Sequence, residues 1–160
     1  MSEPALKLKN PLKNYALGLL ARRSYTCAGL KEKLLKRALN LGLSSESIDA
    51  LIERFIELRL LNDPDYCLRW VEERARMRPR GKFLLDQELR KKGISTETLV
   101  AFWQSYGAPD EVALAMNVLE KKQPRVAGEP RKVREKLFRH LASKGFGMAV
   151  IREVLDKAKL

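Results

Sequence analysis

The sequence predicts an all-α protein of three tandem three-helix units that form an extended, curved array. Three glycines, Gly42, Gly93 and Gly145, lie 51 and 52 residues apart. Apolar residues recur at helical spacing on both sides of each glycine, which is typical of a helical repeat. No segment keeps the apolar–polar alternation of a strand, and the hairpin pairs Asn-Gly and Asp-Gly are absent from the sequence.

Each glycine predicts the end of one helix and the start of the next. Helices commonly end in a residue with positive φ, which glycine adopts without a Cβ clash. An apolar residue follows each glycine and is expected to fold back onto the last turn. The residues after that are suited to helix N-caps and are Ser44, Ser95 and Gly147.

The helices on both sides of the glycines carry apolar stripes, each of which predicts one buried face. The preceding helices contribute Leu34, Ala38, Leu85, Leu89, Leu137 and Leu141. The following helices contribute Ile48, Leu51, Ile52, Leu99, Phe102, Trp103, Ile151, Val154 and Leu155. Because a three-helix unit of about 50 residues cannot bury a deep core alone, neighbouring units are expected to share their apolar faces.

A further helix opens each unit. The second opens at Asp63-Pro64-Asp65, with Asp63 as the cap and Pro64 at the first helical position, and it ends near Met77 because Pro79 disfavours helix before it. Pro109-Asp110-Glu111 opens the third unit in the same way. The predicted units are therefore residues 12–62, 63–107 and 108–160, after a flexible arm of residues 1–11, with a loop over residues 121–130.

The charge predicts a polyanionic partner. The chain has 32 Lys and Arg against 20 Asp and Glu, a net charge of +12 and a pI near 9.9. The excess lies in the middle and last thirds of the chain, where residues 69–92 hold nine bases and four acids, and residues 120–160 hold twelve and five. Nucleic acid, bare or coated with protein, is the partner that this charge favours.

The sequence lacks the common catalytic motifs and the clusters of catalytic or metal-binding residues. It has neither a phosphate-binding GxxxxGK[ST] motif nor a GxGxxG motif, and its one histidine, His140, and two cysteines are too few for a zinc site or a catalytic triad. Cys27 and Cys67 are expected to be buried thiols, and His140 a surface or half-buried imidazole. We therefore expect no catalysis, no metal and no cofactor.

The apolar runs are far shorter than the roughly 20 residues of a membrane-spanning helix. The first residues also lack the charged and apolar segments of a secretory signal. The protein is therefore expected to be cytoplasmic, without a membrane partner. We separately expect it to be a monomer.

Three stretches of the sequence resemble the RecX family of bacterial regulatory proteins. They read ALGLLARRSYTCAGLKEKLLKRA, LLNDPDYCLRWVEERARMRPRGKFLLDQELRKKGI and VREKLFRHLASKGF. The middle stretch is the most diagnostic, since it combines the Leu-Asn-Asp opening with Tyr66, Arg74, Gly81 and the ending Glu-Leu-Arg-Lys-Lys-Gly-Ile. The likeness covers about residues 12 to 156, and the chain departs from it by two extra residues around 38–41 and by the Arg78-Pro79 break.

The resemblance implies a three-unit helical fold and a modulator of the RecA recombinase. Members of this family bind in the groove of the RecA filament on single-stranded DNA and suppress its ATPase and strand exchange. The expected partners are therefore the RecA filament and the single-stranded DNA within it. The expected role is the regulation of DNA repair, recombination and the SOS response.

The basic residues of the second and third units are the candidates for filament binding. The residues chosen are Arg74, Arg76, Arg78, Arg80, Lys82, Arg90, Lys91, Lys92, Arg131, Lys132, Arg134, Lys136 and Arg139. After Pro79 the chain should be extended, so Arg78, Arg80 and Lys82 are expected to point the same way, toward an anionic partner. Arg90–Lys92 fall at a helix C-terminus, where the helix dipole favours cations whatever the function. Trp70 and Trp103 lie on apolar stripes and are expected in the core.

Two functions from different classes remain open, the first of which rests on the resemblance. In the first, the cations meet the acidic side chains and exposed phosphates of a RecA–DNA filament. In the second, one three-helix unit presents a helix to bare duplex DNA as a helix-turn-helix. Salt distinguishes them, because direct binding to bare DNA weakens steeply with salt.

Overall fold

A computed structural model describes the backbone of residues 4–160 and the side chains of residues 11–160. Within this range the chain is all-helical, with nine α-helices, one 3-10 turn and no strand, which confirms the predicted fold class. The helices are α1 Pro4–Arg22, α2 Cys27–Leu41, α3 Glu46–Glu57, α4 Asp63–Met77, α5 Lys82–Lys91, α6 Thr96–Tyr106, α7 Glu111–Lys122, α8 Pro130–Ser143 and α9 Met148–Lys157, and the 3-10 turn is Gln123–Arg125.

The three repeated glycines end helices as predicted. Gly42, Gly93 and Gly145 have φ values of 65°, 86° and 84°, the left-handed conformation that glycine adopts most easily. After Gly42, the N–H of Leu43 donates to the carbonyl of Ala38 at 3.0 Å, which folds the chain back over the last turn of α2. The repeat therefore marks three helix–glycine–helix turns.

The predicted apolar stripes form the core. All six stripe residues before the glycines are buried, from Leu34 and Ala38 on α2 to Leu137 and Leu141 on α8. Seven of the nine residues after the glycines are buried as well, and Leu51 and Trp103 are half-buried. Helical periodicity in the sequence therefore located nearly every core position of these six helices.

Two predicted helix caps are one residue off. The capping position of α3 is Ser45, not Ser44. At α4, the carboxamide Oδ1 of Asn62 accepts the N–H of Asp65 at 3.0 Å, so Asn62 is the cap and not Asp63. The carboxylate of Asp63 instead accepts the N–H of Cys27 at 2.8 Å, at the first residue of α2. Asp63 therefore caps a helix other than its own.

Helix α1 begins at Pro4, earlier than the predicted start at residue 12. Proline is tolerated in the first helical turn, where its missing N–H has no partner to lose. Residues 4–11 of the predicted arm are therefore helical, and residues 1–3 lie outside the described residues.

The contacts divide the chain into two compact units. One comprises the residues up to Cys67 together with Arg90–Thr98, and its core is built around Leu30, Leu34 and Phe55. The other comprises Leu68–Leu89 together with Leu99–Leu160, and its core packs residues of α7, α8 and α9. The residues predicted as the middle repeat are shared between these units, and the boundaries 12–62, 63–107 and 108–160 stay a prediction.

Neither cysteine forms a disulfide in the described chain; Cys67 is buried as expected, whereas Cys27 is only half-buried. Burial, together with the nearby Asp63 carboxylate, raises the pKa of the Cys27 thiol to about 12. The thiol of Cys27 is therefore protonated at neutral pH.

In the described part of the chain, none of the helices is long and apolar enough to cross a membrane.

Candidate functional site

The turn between α4 and α5 is hydrogen-bonded to the end of α8 and to the start of α7, in the same compact unit. The N–H of Gly81 donates to the carbonyl of Lys144 at 2.9 Å, and the N–H of Lys82 donates to the carboxylate of Glu111 at 2.8 Å. A Cβ on Gly81 would lie 2.1 Å from the carbonyl oxygen of Gly145, so only glycine fits there. These contacts hold the predicted basic segment in one place.

Glu88 on α5 neutralises two of the candidate arginines. The Nε atoms of Arg74 and Arg80 lie 2.8 and 3.0 Å from its two carboxylate oxygens, and all three side chains are less than a quarter exposed. The indole N–H of Trp70 donates to the same carboxylate at 2.9 Å, and the Arg74 guanidinium lies 4.4 Å from the centre of the Trp70 ring. Arg74 and Arg80 therefore stabilise the fold.

Asp86, two residues earlier, makes a similar group. Its carboxylate binds the ammonium of Lys82 at 2.8 Å and accepts the indole N–H of Trp103 at 2.6 Å. The Lys82 ammonium also lies 5.1 Å from the centre of the Trp103 ring. Both tryptophans are half-buried with their N–H groups bound to acids, so the prediction that they are plain core residues is wrong.

The prediction that Arg78, Arg80 and Lys82 point the same way, toward an anionic partner, is wrong for Arg80 and Lys82. Their charged groups turn to acids on α5, because a partly buried cation is stabilised by a carboxylate within reach. Arg76 and Arg78 are exposed, and neither forms an ion pair with any residue in the described range. These two arginines are what the segment offers to a partner.

Arg90, Lys91 and Lys92 are exposed at the end of α5, where the helix dipole favours cations. They belong to the first compact unit, whereas the other candidates belong to the second. The carbonyl of Lys92 accepts the hydroxyl of Thr26 at 2.5 Å, so the backbone of this segment holds the start of α2.

The five candidates on α8 divide into paired and unpaired cations. Arg131, Lys132 and Arg134 lie 3.4, 3.5 and 2.8 Å from carboxylates. Lys136 and Arg139 are exposed and line a cavity of about 580 Å³. These two cations therefore face a recess that could hold a ligand.

The cavity beside α8 contains cations that the sequence analysis did not select. Its walls are formed by Lys122, Arg125, Val126, Ala127, Lys136, Arg139 and His140. The basic residues of the 121–130 connection were the signal available in the sequence. Burial and the nearby ammonium groups of Lys122 and Lys144 lower the pKa of His140, so its imidazole is neutral at pH 7. As expected from the sequence, the imidazole is half-buried.

The described residues contain no group of three or more His, Cys, Asp and Glu side chains that could hold a metal ion.

Two protein-family models match this chain. The model described as the second three-helix domain of RecX matches residues 62–99, and the model of the third three-helix domain matches residues 109–155. A regulatory protein RecX of Prosthecochloris aestuarii is 32% identical over 144 residues, covering 90% of this chain and 91% of that protein. This chain belongs to the RecX family.

Other RecX proteins are similar over the same span. The regulatory protein RecX of Chlorobium phaeobacteroides is 33% identical over 142 residues, covering 89% of each chain. The crystal structure of RecX from Lactobacillus salivarius has a TM-score of 0.81 and 23% identity, covering 95% of this chain and 97% of that one. A second RecX crystal structure has a TM-score of 0.76 and 19% identity. The predicted tandem three-helix fold and the regulatory family are both confirmed.

Proposed function

We propose that this RecX protein restrains the RecA recombinase by binding in the groove of the RecA filament on single-stranded DNA. Bound there, it suppresses the filament's ATPase and strand exchange and thereby regulates DNA repair and the SOS response. The observation that carries this proposal is the similarity to regulatory RecX proteins over about nine-tenths of the chain.

The arrangement of charges supports binding to an anionic surface. Arg76 in the last turn of α4 and Arg78 just after it are exposed, and the segment that follows them is held by the Glu88 and Asp86 groups and by the backbone of Gly81. Cations on a well-held turn lose little conformational entropy when they bind an anionic surface. A protein that binds one state of the filament better than the next opposes the change that ATP turnover requires.

The charge of the third helix of each repeat disfavours the alternative, direct helix-turn-helix binding. A recognition helix that enters the major groove needs side chains that reach phosphates and base edges. Helix α3 carries four acids and one base, α6 carries one acid and no base, and α9 carries two of each. The unpaired cations lie on other elements instead.

The proposal is tested by measuring the DNA-dependent ATPase of RecA assembled on single-stranded DNA, with free DNA in excess. Substoichiometric RecX should lower the ATPase, and the inhibition should persist as more DNA is added. Relief of the whole inhibition by added DNA would show sequestration of DNA and would overturn filament binding.

Replacing Arg76 and Arg78 by alanine tests the exposed turn. Since neither side chain has an intramolecular partner in the described range, the fold should be retained while the concentration for half-inhibition rises about tenfold, as loss of two charge contacts predicts. The matched control is Arg152→Ala with Lys159→Ala, two exposed cations on or just after α9. Unchanged inhibition by Arg76→Ala/Arg78→Ala, with helicity intact, would remove the turn from the interface.

A further inference from the structure

We propose that the cavity beside α8 is a binding site for phosphate groups, with Lys122, Arg125, Lys136 and Arg139 as its cations and His140 as a hydrogen-bond donor. The proposal goes beyond the regulation of RecA, because every residue that lines the site belongs to this chain and binding needs no RecA. It should bind phosphate in the absence of any other protein.

The cavity concentrates positive charge that no acid of the described chain neutralises. Lys122, Arg125 and Lys136 form no ion pair there, and the Nε of Arg139 contacts a backbone oxygen, the carbonyl of Glu135, at 3.4 Å. The carboxylates of Glu129 and Glu135 are turned to Lys132 and Arg131, which do not line the cavity. Like charges held close together repel one another, so an anion between them gains from all four.

The convergence comes from three different elements. Lys122 ends α7, Arg125 ends the 3-10 turn, and the remaining two cations lie on α8 three residues apart, on one helix face. Exposed cations that merely keep a surface soluble do not need to surround a recess. Because these cations do, the arrangement has the form of a binding site.

Charge and geometry both favour phosphate over a single carboxylate. One carboxylate would leave three of the four cationic charges uncompensated, whereas a polyphosphate or a run of four phosphodiesters supplies four negative charges. Arginine offers a planar fork that binds two phosphate oxygens at once. A nucleic-acid strand and a free polyphosphate supply the same chemistry.

His140 makes the site sensitive to pH. The charges that lower its pKa are the ammonium groups of Lys122 on α7 and Lys144 just after α8, and Arg125, Lys136 and Arg139 add further positive charge at the cavity wall. A bound phosphate offsets these cations and raises the pKa of His140, so the imidazolium forms and donates to a phosphate oxygen. Binding therefore takes up a proton, and affinity should rise as pH falls through the pKa of the bound form.

The experiment uses the full chain and follows the imidazole resonance of His140 by NMR, since it is the one histidine in the sequence. The probes are tripolyphosphate, a ten-nucleotide oligothymidylate and a hexaglutamate peptide, at equal ionic strength. Both phosphate probes should shift the resonance and raise the pKa of His140. The pH dependence of affinity is read with oligothymidylate, because its phosphodiesters do not titrate near neutral pH.

Variants separate the cavity from general charge attraction. Lys136→Ala/Arg139→Ala should weaken phosphate binding at least tenfold, whereas the control Arg152→Ala/Lys159→Ala should leave it within twofold. His140→Gln should still bind and should lose most of the rise in affinity between pH 8 and pH 6. Equal binding by the cavity variant and the control, or hexaglutamate binding as tightly as the phosphates, would overturn the proposal.

The relative affinities of the two phosphate probes identify the source of the phosphate. Tighter binding of oligothymidylate supports a nucleic-acid strand, and tighter binding of tripolyphosphate supports a free polyphosphate. Because RecA is absent from these titrations, their outcome is independent of the ATPase experiment. A chain that binds phosphate and leaves the RecA filament active would keep this site and lose the proposed function.

Discussion

Gly93 is held by both its backbone and its surroundings. Its φ of +86° is a conformation that L side chains rarely adopt, and a Cβ there would lie 2.4 Å from the Cβ of Ala28. Gly93→Ala therefore combines backbone strain with a clash and should lower the free energy of unfolding by about 2–3 kcal/mol. Urea unfolding followed by circular dichroism measures the change.

Gly18 provides the matched control for Gly93→Ala. It lies within α1, and a Cβ added there meets nothing within 4 Å. Gly18→Ala should raise the free energy of unfolding by about 0.5–1 kcal/mol, because alanine loses less backbone entropy in a helix. Equal effects of the two substitutions, in sign and size, would contradict the role assigned to Gly93.

Helix α5 and its neighbours are joined by Glu88, which binds three partners with one carboxylate. Glu88→Gln removes the charge and leaves at most part of the hydrogen bonding, so Arg74 and Arg80 lose their counter-ion. Because the groups are partly exposed, we expect a loss of only about 1–2 kcal/mol in unfolding free energy. The same variant should inhibit the ATPase of the RecA filament at a lower concentration, since two guanidinium groups near Arg76 and Arg78 become available.

The control for Glu88→Gln is Glu72→Gln, which makes the same change of charge at an exposed position of α4. It should leave the unfolding free energy within about 0.5 kcal/mol of wild type. If both variants inhibit the filament's ATPase at the same lowered concentration, net charge is responsible, and the pairing of Arg74 and Arg80 does not limit binding.

The elements were predictable from the sequence because their signals are local. The glycines, the apolar residues at helical spacing and the break at Pro79 all act within a few residues, and they located the helices around Gly42, Gly93 and Gly145. The partners of Asp63 and Arg74 were not predictable, since Cys27 and Glu88 lie 36 and 14 residues away along the chain. No periodicity links such pairs before the fold is known.

The candidate site was predictable only in part, because its pairing depends on residues that are distant along the chain. Basic residues can be counted in a sequence, but whether each one meets an acid depends on tertiary contacts. The sequence therefore selected Arg80 and Lys82, which are paired, together with Arg76 and Arg78, which are not. It also missed the residues that α7 and the 3-10 turn bring to the cavity.

At the scale of the whole molecule, the net charge of +12 is a poor guide to how many phosphates the protein contacts. Ten ion pairs occupy cations across the described chain, and a cation already paired with a carboxylate displaces fewer counter-ions from DNA. The relevant number is the set of unpaired cations that face one ligand. For a short single strand, we identify that set with the four cations of the cavity.

The salt dependence of oligothymidylate binding should reflect these four cations. At about 0.7 counter-ions released per single-strand phosphate, the slope of log K against log salt should be about −3, whereas all twelve net charges acting together would give about −8. Fluorescence anisotropy with a labelled ten-nucleotide strand between 50 and 200 mM salt, about the range over which such contacts are resolved, measures the slope. Lys136→Ala/Arg139→Ala should reduce its magnitude by about 1.4, in proportion to the two contacts removed. An unchanged slope in that variant would place the strand elsewhere on the protein.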